Sequence, residues 1–163
     1  MHKVYLGIGG NIGNKKSNFK RAFKLIENNL GKIKKKSSLY ESSPWGFYAE
    51  EYFWNQVLLI ETLLQPEELL YEIHKIQNQF TRETNSEKYA SREMDIDILY
   101  FDNITMESDD LIIPHTQIQN RLFVLAPLSE IAPSLKHPIL GLSSLELLDI
   151  CKDDSIVQKI DAN

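Results

Sequence analysis

The pair of acids in the segment Asp95-Ile96-Asp97 is the feature of this sequence most able to do chemistry. In a β-strand, side chains alternate between the two faces, so Asp95 and Asp97 are predicted to share one face with Leu99 and Phe101. Their backbones are then about 6.5–7 Å apart, from a rise of roughly 3.3 Å per residue. Because acids beside apolar positions need a partner, and hard carboxylate oxygens suit Mg²⁺ with its phosphate ligands, the pattern predicts a magnesium–phosphate site. Two solvated acids at the end of a strand are the alternative interpretation.

Arginines near these acids form a second candidate group. Arg92 lies directly before the acidic strand, and Arg82 lies at the other side of a polar stretch, residues 81–92, that shows no apolar periodicity. A polar loop of this length inside a compact domain is uncommon and often serves as a lid or binding loop. Because guanidinium groups bind phosphate through two parallel hydrogen bonds, Arg92 is interpreted as a phosphate ligand. For Arg82, and for Arg121 further along the chain, a surface position is the alternative.

Histidine and aromatic residues supply further candidates. His115 follows Ile113-Pro114 before a predicted helix, where it could donate a hydrogen bond to a phosphate group. The alternative is a histidine that caps the helix or borders the core. Trp45, Phe53 and Phe123 could enclose a flat heterocycle, although aromatic side chains more often belong to a core.

The glycine-rich segment Gly7–Gly13 follows a predicted strand and precedes a predicted helix. This placement suits a dinucleotide-binding turn, but that motif requires a third glycine where this chain has Ile12. The segment also does not end in the Gly-Lys-Ser/Thr of a phosphate-binding loop. The favoured interpretation is a tight turn that lets two backbones approach, and phosphate binding by the turn is the alternative.

Composition limits the class of protein. The 163 residues carry a net charge of −5, with 42% hydrophobic and 25% charged residues, which is typical of one soluble globular domain. We therefore expect a single domain over residues 1–163. The acidic balance argues against general nucleic-acid binding, and no apolar run approaches the roughly 20 residues of a membrane span. The single cysteine, Cys151, suits a reducing compartment, so a cytoplasmic location is expected.

Apolar periodicity and turn residues predict the elements that must position these groups. Strands are expected near residues 3–9, 33–42, 53–62 and 94–101, and helices near residues 14–30 and 66–80. The run Lys32–Lys36 is interpreted as a protected edge strand, and Gly31 as a helix stop. Asp102-Asn103 is a predicted hairpin turn. The C-terminal part is expected to be mainly helical, over residues 117–131 and again from Ser144.

The order strand, helix, strand, strand, helix, strand predicts an α+β ferredoxin-like sandwich with a βαββαβ core and C-terminal helices. Helices are expected to cover one face of its sheet. The opposite face is then free to carry a site, and Asp95, Asp97 and Asn55 could share it.

Several sequence blocks resemble, in the same order, those of the 6-hydroxymethyl-7,8-dihydropterin pyrophosphokinases, enzymes of folate synthesis. The resemblance extends from Val4 to about Pro133. The blocks are Gly9–Gly13 (G-S-N-L-G in the family), Ser37–Gly46 (S-x-x-Y-x-T-x-P-x-G), Phe53–Asn55 (Y-x-N), Arg92–Leu99 (R-x-L-D-L-D-I-L), Ile113–His115 (V-P-H) and Arg121–Phe123 (R-x-F). Because the acidic block occurs together with the two blocks downstream, the match is highly specific.

This resemblance implies the transfer of a diphosphate group from ATP to the hydroxymethyl group of 6-hydroxymethyl-7,8-dihydropterin, with release of AMP. It implies a ferredoxin-like fold and two Mg²⁺ ions held by Asp95 and Asp97, the latter also orienting or helping to deprotonate the attacking hydroxyl group. It assigns Arg82 and Arg92 to a lid that steadies the transferring group and excludes water. ATP and the pterin are the expected partners of a monomeric enzyme.

Two sets of binding residues also follow from the resemblance. The pterin pocket corresponds to Ser42, Ser43, Trp45, Phe53, Asn55 and Phe123. Within it, Phe53 and Phe123 would stack on the two ring faces, while Asn55 would bond to the ring edge. The ATP side corresponds to His74, Gln77, Lys88, Arg92, Ile98, His115 and Arg121.

Two alternatives belong to other classes of protein. Ferredoxin-like domains also bind RNA, but this chain has acids where RNA-recognition strands carry aromatic residues. A catalytically degenerate pterin-binding protein is the second alternative, and it is disfavoured because the chain retains Asp95, Asp97, Arg82 and Arg92. Dependence of turnover on Mg²⁺ distinguishes an enzyme from a bare pterin binder.

Departures from the family pattern lie on the nucleotide side. Thr84 stands where many members carry a further lid arginine, Lys88 replaces an arginine, and Tyr89 replaces a tryptophan. Asp110 and Ile112 replace residues that some members use near ATP.

Because Thr84 stands where many relatives carry an arginine, this chain lacks one charged hydrogen bond to ATP. We therefore expect weaker ATP binding than in arginine-rich relatives. The expected loss is about 1.5–3 kcal/mol in binding free energy. Catalysis is expected to remain, since both acids and both flanking arginines are present. Equilibrium titration with ATP, side by side with an arginine-rich relative, measures the difference. Equal or tighter binding by this chain would contradict the prediction.

Overall fold

The computed structural model describes residues 1–43, 52–81 and 91–160 of the chain. In chain order, its elements are β1 (His2–Gly10), α1 (Lys15–Asn29), β2 (Lys32–Lys36), β3 (Leu39–Ser42), β4 (Phe53–Thr62), α2 (Pro66–Gln77), β5 (Asp95–Phe101), β6 (Met106–Glu107), β7 (Ile112–Ile113), a 3₁₀ helix (Ile118–Asn120), α3 (Leu122–Ile131), α4 (Ser144–Ile150) and β8 (Val157–Ile160). None of the helices in these ranges combines the length and the apolarity that crossing a membrane requires.

An antiparallel sheet organises the fold. Its strands lie in the order β5-β1-β4-β3-β8, and β2 pairs with the end of β4 that β3 leaves open. Because α1 connects β1 to β2 and α2 connects β4 to β5, this is the predicted βαββαβ arrangement. The α+β ferredoxin-like prediction is therefore confirmed, and β1 occupies a central position between β4 and β5.

The sheet buries side chains on both faces. On the first face, α1 and α2 pack against the sheet through residues such as Phe19 and Ile73. On the second face, α3 and α4 pack around Val57 through residues such as Leu125 and Leu147. The expectation that helices cover only one face is therefore wrong. Helix α3 covers part of the second face, and the remaining part carries the cavity described below.

A β-bulge in β5 changes which of its side chains share a face. The register of β5 against β1 shifts between Tyr5 and Leu6, which leaves one extra residue at Leu99. One extra residue turns each following side chain to the opposite face. Phe101 accordingly packs in the core under α1 and α2. It does not lie beside the acid pair, as alternation alone predicted.

The predicted strand 33–42 is interrupted because Ser37 takes over part of the pairing with β4. The Ser37 N–H donates to the carbonyl oxygen of Val57 (2.9 Å), and the Ser37 hydroxyl oxygen accepts from the Val57 N–H (3.0 Å). The Gln56 side chain donates to the Ser37 carbonyl oxygen (2.6 Å). Between β2 and β3, the Ser37 hydroxyl thus takes the place of a backbone carbonyl in the pairing with β4.

Two other local predictions are corrected. Asp102-Asn103 forms a turn but no hairpin, because β6 pairs with β7 and not with β5. The predicted helix 117–131 is divided, because Arg121 has an extended backbone (φ −122°, ψ 108°) between the 3₁₀ helix and α3.

Gly31 follows α1 as predicted, but for a different reason. A Cβ at this position would lie 2.0 Å from the carbonyl oxygen of Glu61, so close approach to β4 requires glycine here. The C-terminal strand β8, which pairs with β3, is an element that the sequence pattern did not predict.

Hydrogen bonds at both ends of α3 attach this helix to the rest of the domain. The Tyr40 hydroxyl donates to one Glu130 carboxylate oxygen (2.7 Å), and the Ser38 N–H donates to the other (2.9 Å). At the start of α3, the Asp153 carboxylate accepts from the Leu122 N–H (2.9 Å). The Glu130 bonds thus hold the last turn of α3 against the sheet, and the Asp153 bond holds its first turn.

Candidate active site

A cavity of about 250 Å³ lies on the uncovered part of the second sheet face, between β1, β4, β5 and the start of α3. Of the site residues predicted from sequence, this cavity brings together Ser42, Ser43, Phe53, Asn55, Arg92, Asp95, Asp97, His115, Arg121 and Phe123. Residues from five separate parts of the chain therefore converge on one concave surface.

Two glycines of β1 form the floor of this cavity. In the register of the sheet, Gly9 pairs with Asn55 on β4 and with Asp95 on β5. Gly7 pairs with Asp97 on β5 in the same way. A Cβ at position 9 would lie 2.8 Å from Oδ1 of Asn55. Glycine therefore leaves space over the centre of the sheet, with the acids on one side and the amide on the other.

The turn after β1 lets a second backbone segment approach, as its glycines predicted. A Cβ at Gly10 would lie 2.1 Å from the carbonyl oxygen of Glu93, and the Asn11 N–H donates to the carbonyl oxygen of Arg92 (2.8 Å). The close-approach interpretation of this turn is confirmed. The contact holds Arg92 at the edge of the cavity.

The two acids lie on one wall, next to Arg92. Asp95 and Asp97 are both half-buried. Nη1 of Arg92 donates to Oδ2 of Asp95 (3.0 Å), and the guanidinium carbon lies 5.6 Å from the ring centre of Phe53. Nε of Arg92 is buried and has no hydrogen-bond partner among the described residues. Because a buried donor without an acceptor is costly, this side chain suits an incoming anion.

The acid pair fits a magnesium site that a substrate completes. Asp95 and Asp97 offer hard oxygen ligands from one strand to the same cavity. Within the described ranges, no group of three or more His, Cys, Asp and Glu side chains could hold a metal ion. Two carboxylates in one cavity suit Mg²⁺, which is usually bound by one or two carboxylates together with substrate phosphates.

His115 is held as a neutral hydrogen-bond donor. Its backbone N–H donates to the Leu99 carbonyl oxygen (3.0 Å), and its Nδ1 accepts from the Gln117 N–H (3.1 Å). Burial lowers the pKa of His115 to about 4, the charge of Arg121 acts in the same direction, and the carboxylate of Asp95 opposes it. Because Nδ1 accepts, the single proton of the neutral ring is assigned to Nε2. The predicted contact with phosphate is then a neutral N–H donor, not an imidazolium.

The wall opposite the acids suits a flat ring with a polar edge. Asn55 is buried, and its Nδ2 donates to Oγ of Ser42 (2.8 Å), which fixes the plane of the amide. Phe53 from β4 and Phe123 at the start of α3 add aromatic surface to the same cavity. The Arg121 guanidinium carbon lies 5.6 Å from the Phe123 ring centre. Stacking surfaces with a fixed amide are typical of a heterocycle site.

Three residues predicted for the nucleotide side do not line this cavity. The Ile98 side chain is 4% exposed in the core of the first face, so the predicted ATP contact of Ile98 would be made by its backbone, and it stays a prediction. Oε1 of Gln77 accepts from the Ile96 N–H (2.7 Å), and His74 is exposed on α2. ATP binding by Gln77 and His74 stays a prediction. The residues Trp45, Arg82, Thr84, Lys88 and Tyr89 lie outside the described part of the chain.

Asn11 is a residue of this site that the sequence reasoning missed. It is wholly buried, and its side chain bonds to Ser91 and Arg92, which lie 80 and 81 residues later in the chain. An asparagine directly after a strand-ending glycine pair is the only local signal, and such residues are usual in turns.

Sequence similarity relates this chain to one family of enzymes. A family model described as 7,8-dihydro-6-hydroxymethylpterin-pyrophosphokinase (HPPK) matches residues 5–133. The chain is similar to 2-amino-4-hydroxy-6-hydroxymethyldihydropteridine pyrophosphokinase from Aquifex aeolicus, with 40% identity over 139 residues that cover 85% of this chain and 86% of that protein. It is also similar to Folic acid synthesis protein FOL1 from Dictyostelium discoideum, with 38% identity over 141 residues that cover 86% of this chain and 21% of that protein. The matched part is thus most of one relative and about a fifth of the other.

Solved structures resemble the chain in fold. One is the crystal structure of Plasmodium falciparum HPPK-DHPS wild type with SDX-DHP, with a TM-score of 0.73 and 19% identity, covering 91% of this chain and 43% of that chain. Another is the same protein's wild type with pteroate, with a TM-score of 0.75 and 18% identity, covering 91% of this chain and 44% of that chain. At these identities the likeness concerns the fold alone, and it agrees with the architecture described above.

The neutral state of His115 predicts a pH-dependent stability. In the unfolded chain, the His115 ring has a pKa near its ordinary value of 6.5, whereas burial lowers this pKa to about 4 in the folded chain. The contribution of the neutral ring to the free energy of unfolding is therefore complete above pH 6.5 and falls as the pH is lowered toward 4. The contribution is roughly 3 kcal/mol at most. The free energy of unfolding, measured with denaturant at pH 7, 6, 5 and 4.5, should decline less steeply with falling pH for His115→Asn than for the wild type. A matched change on α2, His74→Asn, should leave the decline unaltered, and equal declines in all three proteins would contradict the prediction.

Proposed function

The chain belongs to the 7,8-dihydro-6-hydroxymethylpterin-pyrophosphokinase family, and on this premise we propose that it transfers the diphosphate group of ATP to the hydroxymethyl group of 6-hydroxymethyl-7,8-dihydropterin and releases AMP. Membership makes it a pyrophosphokinase of folate synthesis, an ATP-dependent diphosphotransferase. The proposal adds the substrates of this chain and the residues that act on them.

The observation that carries the proposal is the composition of the cavity. Two acids, two arginines and a neutral histidine line one part, and an amide with two phenylalanines lines the other. The first set suits a metal-bound polyphosphate and the second a flat heterocycle with hydrogen-bonding edges. A reaction between a nucleoside triphosphate and a pterin uses both.

The proposed reaction is a direct displacement at phosphorus. The hydroxymethyl oxygen of the pterin attacks the β-phosphorus of ATP and forms a new oxygen–phosphorus bond. The bond from this phosphorus to the oxygen that bridges it to the α-phosphorus breaks, and AMP leaves with that oxygen. Asp97 orients the attacking hydroxyl group and accepts its proton in this proposal, which its place in the cavity lining and its pairing with Gly7 support.

In the proposed reaction, cationic and polar residues align the diphosphate group with the attacking hydroxymethyl oxygen. Arg92 presents buried N–H groups beside Asp95, and Arg121 lines the cavity at the start of α3. Both suit phosphate oxygens whose charge is redistributed during transfer. His115 donates from Nε2 to a phosphate oxygen, as its tautomer permits. Arg82 and Lys88 add to this set in the proposal, as expected from the sequence.

Asp95 and Asp97 hold two Mg²⁺ ions in the proposed complex. Magnesium held there would supply a Lewis acid that neutralises negative charge on the triphosphate and on the departing AMP. The two carboxylates are the residues of this cavity whose chemistry suits that role.

The pterin is held by stacking and by hydrogen bonds. Phe53 and Phe123 cover its two faces, and Asn55 bonds to its edge while Ser42 keeps the amide in place. Ser43 borders the same cavity, and Trp45 is assigned to it from sequence. Stacking alone cannot fix the orientation of a ring, so both kinds of contact are needed.

The remaining expectations concern the protein as a whole. We propose that residues 1–163 act as one catalytic unit, as a monomer in the cytoplasm. The single cysteine suits a reducing compartment and so supports the proposed location.

A product assay with isosteric acid variants tests the proposed function. Wild type incubated with ATP, Mg²⁺ and 6-hydroxymethyl-7,8-dihydropterin should form AMP only when the pterin is present. Asp95→Asn and Asp97→Asn should each lower this rate by roughly 100-fold or more, the scale expected when a preorganised electrostatic group is removed. The nucleotide products are separated and quantified by chromatography.

Asp149→Asn, on the exposed side of α4, is the matched control and should keep the wild-type rate. Formation of ADP in place of AMP would indicate an ordinary kinase. Pterin binding without turnover would indicate the degenerate binder, and full activity of both acid variants would refute the proposed metal site.

A further inference from the structure

We propose that Asn11 is a positioning residue that sets the place of Arg92 in the cavity, an inference that rests on the proposed function. Asn11 follows β1 and is wholly buried. Its Oδ1 accepts from the Arg92 N–H (2.9 Å), and its Nδ2 donates to Oγ of Ser91 (3.1 Å). One side chain thus holds two successive residues at the start of the acidic strand.

Backbone hydrogen bonds from the same turn also fix Arg92. The Asn11 N–H donates to the Arg92 carbonyl oxygen (2.8 Å), and the Ile12 N–H lies 3.4 Å from the same oxygen. Both the N–H and the C=O of Arg92 are therefore fixed to one turn. Gly10 makes this possible, because a Cβ there would meet the Glu93 carbonyl oxygen at 2.1 Å.

A second tie lies one residue further along. The Glu93 N–H donates to the Thr81 carbonyl oxygen (2.8 Å), and the Thr81 N–H donates to the Glu93 carboxylate. Ser91, Arg92 and Glu93 are thus held in sequence from two sides. Among these hydrogen bonds, the one from the Arg92 N–H to Oδ1 of Asn11 is the one in which a side chain accepts from Arg92.

The position of the Arg92 backbone decides what its guanidinium can reach. The guanidinium already bonds to Asp95 and lies against the Phe53 ring, and its Nε is buried without a partner among the described residues. A long side chain tethered at a displaced backbone would lose this alignment. Misplacement of a positioning group by about 1 Å can lower a rate by about 100-fold.

The test is a double-mutant cycle between Asn11→Ala and Arg92→Ala. Single-turnover AMP formation, with enzyme in excess over pterin, is measured in the wild type, both single variants and the double variant. Asn11→Ala should lower the rate roughly 10- to 100-fold in the wild-type background, with little change in the pterin KM of the steady-state reaction. In the Arg92→Ala background, the same change should lower the rate by about twofold or less, since its effect passes through Arg92.

The matched control is Asn18→Ala. Asn18 is also a buried asparagine that holds this turn, since its Nδ2 donates to the Ile12 carbonyl oxygen (3.3 Å), but it has no bond to Arg92. Its variant should resemble Asn11→Ala in stability and keep a rate within about threefold of the wild type.

Amide hydrogen exchange supplies a readout that does not depend on turnover. In Asn11→Ala, protection of the Arg92 N–H should fall, while the Glu93 N–H, bonded to Thr81, should keep its protection. This pattern would show a local release of Arg92 within a folded protein.

Three results would overturn the inference. These are an equal rate loss in both backgrounds, a wild-type rate in Asn11→Ala, and an equal rate loss in Asn18→Ala. Absence of pterin-dependent AMP from the wild type would refute the proposed function instead. In that case the exchange experiment still tests the structural part of the inference. Equal exchange of the Arg92 N–H in Asn11→Ala and in the wild type would refute that part.

Discussion

The pair of glycines on the central strand β1 is the constraint on which the rest of the site depends. β1 lies between β4 and β5, so any side chain at Gly7 or Gly9 on the second face would fill the space that the cavity occupies. Without side chains there, Asn55 from one neighbouring strand faces Asp95 from the other across bare backbone. The sheet itself becomes the floor of a binding site, and the rigid strands set the distances between its walls.

The cavity has a local charge pattern that differs from that of the chain. The net charge is −5, yet Arg92 and Arg121 converge on the two acids, and low dielectric surroundings keep His115 neutral. Such a mixture suits a metal-bound anion better than a free one, because the acids would repel an unaccompanied polyphosphate. Arg92 is satisfied on one side by Asp95 and retains donor capacity on the other, which is the condition for meeting a phosphate group.

The parts of this structure that follow local patterns could be predicted from the sequence. Alternation places Asp95 and Asp97 on one face because β5 is regular over that stretch, and it fails at Phe101 because the bulge depends on pairing with β1. Strand alternation and element order predicted that Asp95, Asp97 and Asn55 share a face, whereas the pterin and ATP roles of the cavity residues came from motif blocks. Asn11 belongs to the Gly9–Gly13 block, but neither approach could assign its role, because its partners are distant in the chain. The four-residue strand β8 is too short and too polar to show a period, and only its pairing with β3 defines it.

The central claim is that one cavity over the β1 glycines holds the pterin and the acid-bound triphosphate together. A crystal structure with Mg²⁺, a non-hydrolysable ATP analogue and 6-hydroxymethyl-7,8-dihydropterin tests it most directly. We expect the pterin ring between Phe53 and Phe123 with its edge on Asn55, and metal density bound by both Asp95 and Asp97. A pterin bound elsewhere, or a triphosphate whose metal contacts neither acid, would contradict it.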